Sequence, residues 1–335
     1  MNEEDRLLRW LRRRGGGDPG DPMRPGDDAA ILPAAGETAV SVDSQIGGVH
    51  FPEDLDPRQI GRRLVAVNLS DLAAMGAVPR HAFAALSSPE GFDRRSFFEG
   101  LLAACDTHQL ILSGGDLAHS PERVVATLTV VGEQAPDGRW LRRGAARPGH
   151  ALWVGGSLGE SALGCRLVAR GARRRGSRID LPPGISPHLA KTARRAVRRH
   201  LEPKPQIPLG QALATAHRQG AAMDVSDGLT LDLDRLCRES GVGAVIDAPL
   251  PFAPQTKELA AALDADLGDL ALGGGEDYVL LFTLPSGERV SAPDGTGCRR
   301  IGKIVKEKGI WRSERRRRVP LPIQGWDHLR SRTPT

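Results

Sequence analysis

The chain has 335 residues, enough for two domains and an ample core. Its 46 basic and 41 acidic residues give a formal charge of +5, but three runs, residues 12–14, 173–175 and 315–318, hold ten of the arginines, and the rest of the chain is acidic, 36 against 41. These runs read as solvated faces or loop edges, and without interleaved base-stacking aromatics they do not point to nucleic acid.

Residues 1–14 are charged and lack an apolar signal core, and no run approaches the roughly 20 apolar residues that would cross a bilayer. Cys105, Cys165, Cys237 and Cys298 are widely spaced with no Cys-x-x-Cys pair, so neither a zinc site nor a disulfide framework is expected. A reducing, cytoplasmic setting fits.

In chain order, residues 3–14 read as a short amphipathic helix with Leu7, Leu8 and Leu11 on one side, and 15–26 as a Gly/Pro/Asp-rich loop. Residues 38–42 read as a strand whose end carries Asp43. Residues 57–76 have helical periodicity through Ile60, Leu64, Val67, Leu72 and Met75, with Asp71 on the inner side. A strand over 80–86, a helix over 93–108 and a strand over 110–113 ending at Gly114-Gly115-Asp116 follow. The β-branched run 124–131 is a further strand.

The Gly/Pro-rich stretch 134–149 marks a boundary between a first domain, 1–135, and a second, 148–335. The second half reads as a strand (151–154), a helix (159–170), an Arg/Gly/Pro-rich loop, helices near 187–201 and 208–217, a strand (222–225), a helix (229–240) and strands at 243–247 and 278–284. Mixed strands and helices in both halves make the fold class α+β, with α/β mixing.

The chemistry is carried by carboxylates in glycine- and serine-bordered corners: Asp27, Asp28, Asp43, Asp71, Asp116, Asp224, Asp227, Glu276 and Asp277. Beside apolar runs a carboxylate is costly to bury without a partner. Two like charges about 4 Å apart repel by about 4 kcal/mol at an effective dielectric of 20. Mg²⁺ binds through a few carboxylates plus substrate phosphates, so a converging set points to magnesium and a polyphosphate. The glycines of Gly114-Gly115-Asp116 let backbone N–H groups approach phosphate oxygens, and Ser226-Asp227-Gly228 precedes a helix start that can bind an anion. Ser226 and Asp227 also suit a purely structural N-cap. There is no Gly-x4-Gly-Lys-Ser/Thr loop and no protein-kinase signature.

With these motifs the chain resembles the thiamine-monophosphate kinase family, within the aminoimidazole-ribonucleotide-synthetase-like superfamily of two-domain, PurM-like folds. The matching stretches are Gly26-Asp27-Asp28-Ala29-Ala30, Ser41-Val42-Asp43 through Gly48-Val49-His50-Phe51, and Val67-Asn68-Leu69-Ser70-Asp71-Leu72-Ala73-Ala74-Met75-Gly76-Ala77. They continue with Gly114-Gly115-Asp116, Asp224-Val225-Ser226-Asp227-Gly228-Leu229, Gly274-Gly275-Glu276-Asp277-Tyr278 and Gly325-Trp326-Asp327-His328.

The resemblance implies ATP-dependent phosphorylation of thiamine monophosphate to thiamine diphosphate, several Mg²⁺ ions, direct transfer without a phosphoenzyme, and a homodimer whose N-terminal halves pair their sheets. By matched position it implies Asp28, Ser41, Asp43, Asp71, Asp116, Asp224 and Asp227 as metal ligands. On the same resemblance Asp71, Asp116, Asp224 and Asp227 would be the catalytic acids. Gly115, Asp116, Arg143 and Ser226 would contact nucleotide, and His50, Glu276 and Trp326 the thiamine phosphate. A Trp face and a carboxylate suit a cationic thiazolium.

The sequence departs from the family pattern at Val42, where any metal contact must come from the backbone carbonyl, and at Leu117-Ala118-His119, where hydroxyl residues are common. His108 replaces an aromatic and could still stack on adenine. Two other readings stay open: another ATP-using enzyme of the superfamily, such as a selenide- or amide-activating one, and a non-catalytic nucleotide- or RNA-associated protein. The lack of an N-terminal cysteine argues against the selenide enzyme, and the retained acids argue against loss of catalysis.

Overall fold

The computed structural model describes residues 10, 36–216, 219–315 and 317–326. The helix expected at 3–14, the loop at 15–26 and the acids Asp27 and Asp28 fall outside them, Trp10 excepted.

The first half builds a four-stranded sheet in the order β1-β4-β2-β3, from β1 (Thr38–Ile46), β2 (Ala77–Ser88), β3 (Ile111–His119) and β4 (Val125–Gln134). Helices α1 (Pro57–Met75) and α2 (Arg94–Thr107) cover one face. Asp56 starts α1 by accepting the Arg58 N–H (2.8 Å), Pro57 fills the first turn, and Gly76 ends it in the left-handed region (φ 71°). The apolar periodicity predicts one buried stripe. The structure instead buries α1 nearly all round, Arg63, Asn68 and Ser70 included. The helix is sandwiched between its own sheet and the second half of the chain.

The second half forms a seven-stranded sheet in the order β13-β12-β9-β11-β5-β10-β8. Its strands are β5 (Ala151–Gly155), β8 (Ala222–Asp224), β9 (Gly243–Ile246), β10 (Leu280–Leu284), β11 (Cys298–Val305), β12 (Gly309–Glu314) and β13 (Arg317–Pro320). Helix α6 (Leu229–Ser240) packs Leu229, Leu233 and Leu236 against Val154, Ile246, Leu281 and Ile304. Helices α3 (Glu160–Ala169), α4 (Ala190–Leu201) and α5 (Ile207–Ala216) belong to another core, which is continuous with that of the first half. Short helices α7 (Thr256–Ala262) and α8 (Leu267–Gly273) complete the half. No helix among the described residues is long and apolar enough to cross a membrane.

Three sequence readings are corrected. The Arg-rich loop after α3 contains a small hairpin, β6 (Arg173–Arg175) with β7 (Arg178–Asp180). Its cations are held by acids, Arg173 by Asp54 (2.6 Å) and Arg174 by Glu202. Next, Gly114-Gly115-Asp116 lies inside β3 rather than at a strand end, because a parallel pairing with β2 resumes after a bulge at Ala82/Phe83. Likewise Asp43 lies within β1, which runs on to Ile46. Beyond these, segment 298–320, to which the sequence reading assigns no element, supplies three strands of the larger sheet.

Helix α1 meets α5 where Gly210 has no room for a side chain: a Cβ there would press into the Ala73 carbonyl. Gly210→Ala should destabilise the protein by about 1–3 kcal/mol, the usual cost of overpacking. Urea unfolding checks this.

Candidate active site

The site is assembled where the C-terminal end of α1 meets β1, β8 and the loop that follows β8. On β1, Ser41 and Asp43 alternate with Val40 and Val42, so the polar pair faces α1 while the valines face outward, 62% and 63% exposed. Ser41 Oγ donates to Asp71 Oδ2 at 2.6 Å. One residue earlier on α1, Ser70 Oγ donates to Asp224 Oδ2 at 2.7 Å, and this bond crosses from the first half to the second. Neighbouring helix residues thus hold one carboxylate from each half.

The electrostatics follow from this placement. Burial raises the Asp71 carboxyl above its ordinary range, the Ser41 hydrogen bond pulls it back, and Asp43 raises it again. Burial and the nearby Asp71 charge push Asp224 up to about 7. Arg143, in the 3-10 turn Arg143–Ala145, lowers both. The exposed arginine of the sequence therefore faces the acid pair.

The loop after β8 is shaped by a residue that the sequence reading passed over. Asp232, fully buried in the first turn of α6, accepts the N–H groups of Ser226 (3.1 Å), Asp227 (3.0 Å) and Gly228 (3.2 Å) through one oxygen. Burial and Asp227 push it up to about 6. Arg235 Nη1 bridges Asp227 Oδ2 (2.5 Å) and Asp232 Oδ1 (2.8 Å). The signal was a carboxylate four residues into a helix whose N-terminus already carried Ser and Asp; only the fold shows which one caps the loop.

A second loop lies along the first. Glu276 N–H donates to Ser226 O (2.6 Å) and Tyr278 N–H to Val225 O (2.8 Å), while Trp326 N–H donates to Asp227 O (2.9 Å). Four of the sequence-selected positions are therefore tied in two pairs by backbone bonds, Glu276 to Ser226 and Trp326 to Asp227. Glu276 and Tyr278 adopt positive φ (57° and 45°), conformations that cost non-glycine residues about 1–3 kcal/mol each.

His50 lies in the turn after β1, with Nδ1 accepting the Ile46 N–H (3.0 Å). Asp277, grouped in the sequence with the acids expected to bind cations, has a structural task here. It accepts the N–H groups of Gly159 (2.7 Å) and Ser161 (3.3 Å) at the start of α3.

Asp116 stands apart. Strands β1 and β3 are the two edges of the first sheet, so its position is about three strand spacings, roughly 14 Å, from Asp43. Gly115 beside it fits close to the Ala84 carbonyl, where a Cβ would collide. Among the described residues no three His, Cys, Asp or Glu side chains form a group that could hold a metal ion by themselves.

Comparison with known proteins gives this arrangement a family. Residues 26–134 match the AIR synthase related protein, N-terminal domain, and residues 147–311 match its C-terminal domain. The thiamine-monophosphate kinase of Escherichia coli (strain K12) is 36% identical over 317 residues, 91% of each chain. The chain belongs to the thiamine-monophosphate kinase family.

A crystal structure of the thiamine-monophosphate kinase from Stenotrophomonas maltophilia K279a is 36% identical and superposes with a TM-score of 0.77, covering 91% of this chain and 95% of that one. AaThiL complexed with AMPPCP and TMP is 26% identical, with a TM-score of 0.75 over 98% and 99% of the two chains. The PurM-like two-domain fold expected from the sequence is thus the fold found.

In the family member described here, Asp224 has a folded-state value above that of an exposed carboxylate. It therefore favours folding less as pH rises from about 4 to about 7. Metal-free protein should be less stable at pH 8 than at pH 5.5. Asp224→Asn should raise its stability at pH 8 by about 1–4 kcal/mol, an advantage that shrinks toward pH 4. Thermal or urea melts across that range check both.

Proposed function

We propose that this protein transfers the γ-phosphoryl group of ATP to thiamine monophosphate, giving thiamine diphosphate and ADP, with Mg²⁺ bound at the acids. One observation carries the reading: half-buried Asp71 and buried Asp224, from different halves, lie close enough to act on each other's charge, beside Arg143. They adjoin a loop stapled to Glu276 and Trp326. The family membership and the AaThiL complex with AMPPCP and TMP support it.

The donor set suits a hard cation. It is made of oxygen alone, it includes a carboxyl pushed up to about 7 that an added positive charge would return to its ionised form, and it supplies too few side chains for a closed cage. Mg²⁺ fits such a site because it keeps waters and phosphate oxygens among its ligands. Several ions would share the set: Ser41, Asp43, Asp71, Asp224 and Asp227 would hold those at the junction of the halves, Asp116 a separate one across the sheet, and Asp28 lies outside the described residues. Bound there, Mg²⁺ would neutralise charge on the transferring phosphoryl group.

The chain's own residues supply positioning. Arg143 offers a guanidinium fork to phosphate oxygens. Gly115 keeps the β3 backbone free of a side chain, and Ser226 presents a backbone held open by Asp232. His50, Glu276 and Trp326 face the thiamine phosphate. The acceptor's terminal phosphate oxygen bonds to the γ-phosphorus as the bond to the β–γ bridging oxygen breaks and ADP departs. No protein nucleophile takes part.

We assign residues 1–135 to a nucleotide- and metal-binding domain and 148–335 to the domain that completes the site. We further infer a homodimer through the uncovered face of the first sheet. Val40 and Val42 stand exposed there, in register with Val131 and Thr129 of β4. The same strand that turns Ser41 and Asp43 toward Asp71 turns these apolar groups outward.

Two outcomes test this reading. Purified protein with ATP and Mg²⁺ should convert thiamine monophosphate to thiamine diphosphate, and Asp71→Asn should lower kcat at least about a hundredfold with an unchanged circular dichroism spectrum. No product from concentrated wild-type enzyme would reject the function. Separately, Val42→Asp should shift the sedimentation coefficient from dimer to monomer, since a charge at a paired apolar face is poorly tolerated.

A further inference from the structure

We propose that Arg63 and His200 are positioning residues for substrate recognition, fixing the Glu276 carboxylate from opposite sides so that thiamine phosphate is read only when the two halves are docked. This rests on the proposed function and deepens it, because Glu276 is there the residue that meets the substrate.

Arg63 is the anomaly that leads to it. It lies in the middle of α1 with 1% of its side chain exposed. A guanidinium so placed is costly unless its donors are met. Its partners come from three separate elements: Nε donates to Gln45 Oε1 of β1 (3.1 Å), Nη1 to the His200 carbonyl at the end of α4, and Nη2 to Glu276 Oε1. His200, itself 5% exposed, places Nδ1 2.9 Å from Glu276 Oε2. Each carboxylate oxygen thus has its own cationic partner, one from each half. The Glu276 backbone is pinned to Ser226 as well.

The surroundings agree. Tyr278 and His50 face Glu276, while Ser161 and Cys165 of α3 face His200. Burial opposes the imidazolium, but Glu276 and Cys165 together outweigh it and carry His200 up to about 9. Burial would likewise raise Glu276, yet Arg63 and His200 hold it down at about 2.

With two cations against one carboxylate, the cluster carries a net positive charge. Glu276 therefore does not offer the bare negative charge that the sequence reading matched to a thiazolium. It offers oriented lone pairs, a quarter of the side chain being exposed, to an N–H donor such as the amine of an aminopyrimidine. Reading a donor with a partly buried acceptor held on both oxygens is the more discriminating arrangement, because an analogue without the donor leaves that acceptor unpaired.

Steady-state kinetics on the full-length protein, with melts of every variant, test the assignment. His200→Asn should raise KM for thiamine monophosphate about tenfold or more, with KM for ATP within about twofold of wild type. Arg63→Lys, which keeps the charge but loses the fork, should do the same to a smaller extent than Arg63→Met. Wild-type kcat/KM for thiamine monophosphate should fall as pH rises through about 9, and His200→Asn should lack that limb. A lowered melting temperature with both KM values unchanged, or both raised equally, would make the pair merely structural and overturn the assignment. If His200→Asn leaves the pH limb intact, His200 is not the group that holds Glu276. Absence of wild-type turnover rejects the proposed function and this assignment together, whereas wild-type turnover with unaltered variants rejects this assignment alone.

Discussion

Everything in this molecule turns on helix α1 being buried on both sides. One side covers the first sheet, and the other is pressed into the second half through α5, β8 and the loop at Glu276. A helix in that position cannot leave polar groups to water, so its polar side chains turn to partners within the protein, although the Gln59 and Asn68 side-chain oxygens find none among the described residues. Arg63 finds Glu276, Ser70 finds Asp224, and Asp71 finds Ser41. The first two of those contacts cross between the halves and bring site residues from both into one place.

The confinement of charge has a cost that the fold does not hide. Keeping Asp224 ionised at neutral pH costs on the order of 4 kcal/mol relative to a solvated carboxylate. Packing elsewhere offsets it, chiefly in the continuous apolar core that runs from Leu69 and Phe97 to Leu209 and Phe282. Sites that hold like charges together are commonly less stable than they could be, and the excess repulsion is what favours a bound cation. The Asp232 arrangement is the opposite kind: three N–H donors and Arg235 compensate one buried acid, which makes a rigid loop rather than a reactive group.

The sheet geometry adds a constraint of its own. Strand β1 has one polar side and one apolar side, and strict alternation assigns them to opposite faces. Asp116, at the far edge, is separated from Asp43 by the full width of the sheet. A substrate that reaches all of these acids must be extended, as a nucleotide triphosphate is, or must lie where two sheets meet.

Much of this was readable in the residues. The caps Asp56 and Gly76, the β-branched run of β4 and the periodicity of α1 determine local structure because their signals lie within a few residues of where they act. The order of the acid motifs determined the family, and so the fold. The sequence did not determine that Asp277 caps α3, that Asp232 shapes the loop, that Gly115 lies within a strand, or that Arg63 and His200 take both oxygens of Glu276. The partners of Asp277 lie 116 and 118 residues away, and Arg63 and Glu276 are 213 residues apart. A carboxylate has the same chemistry in each of these tasks, so only the packing that decides its neighbours, and how much water they leave it, decides what it does.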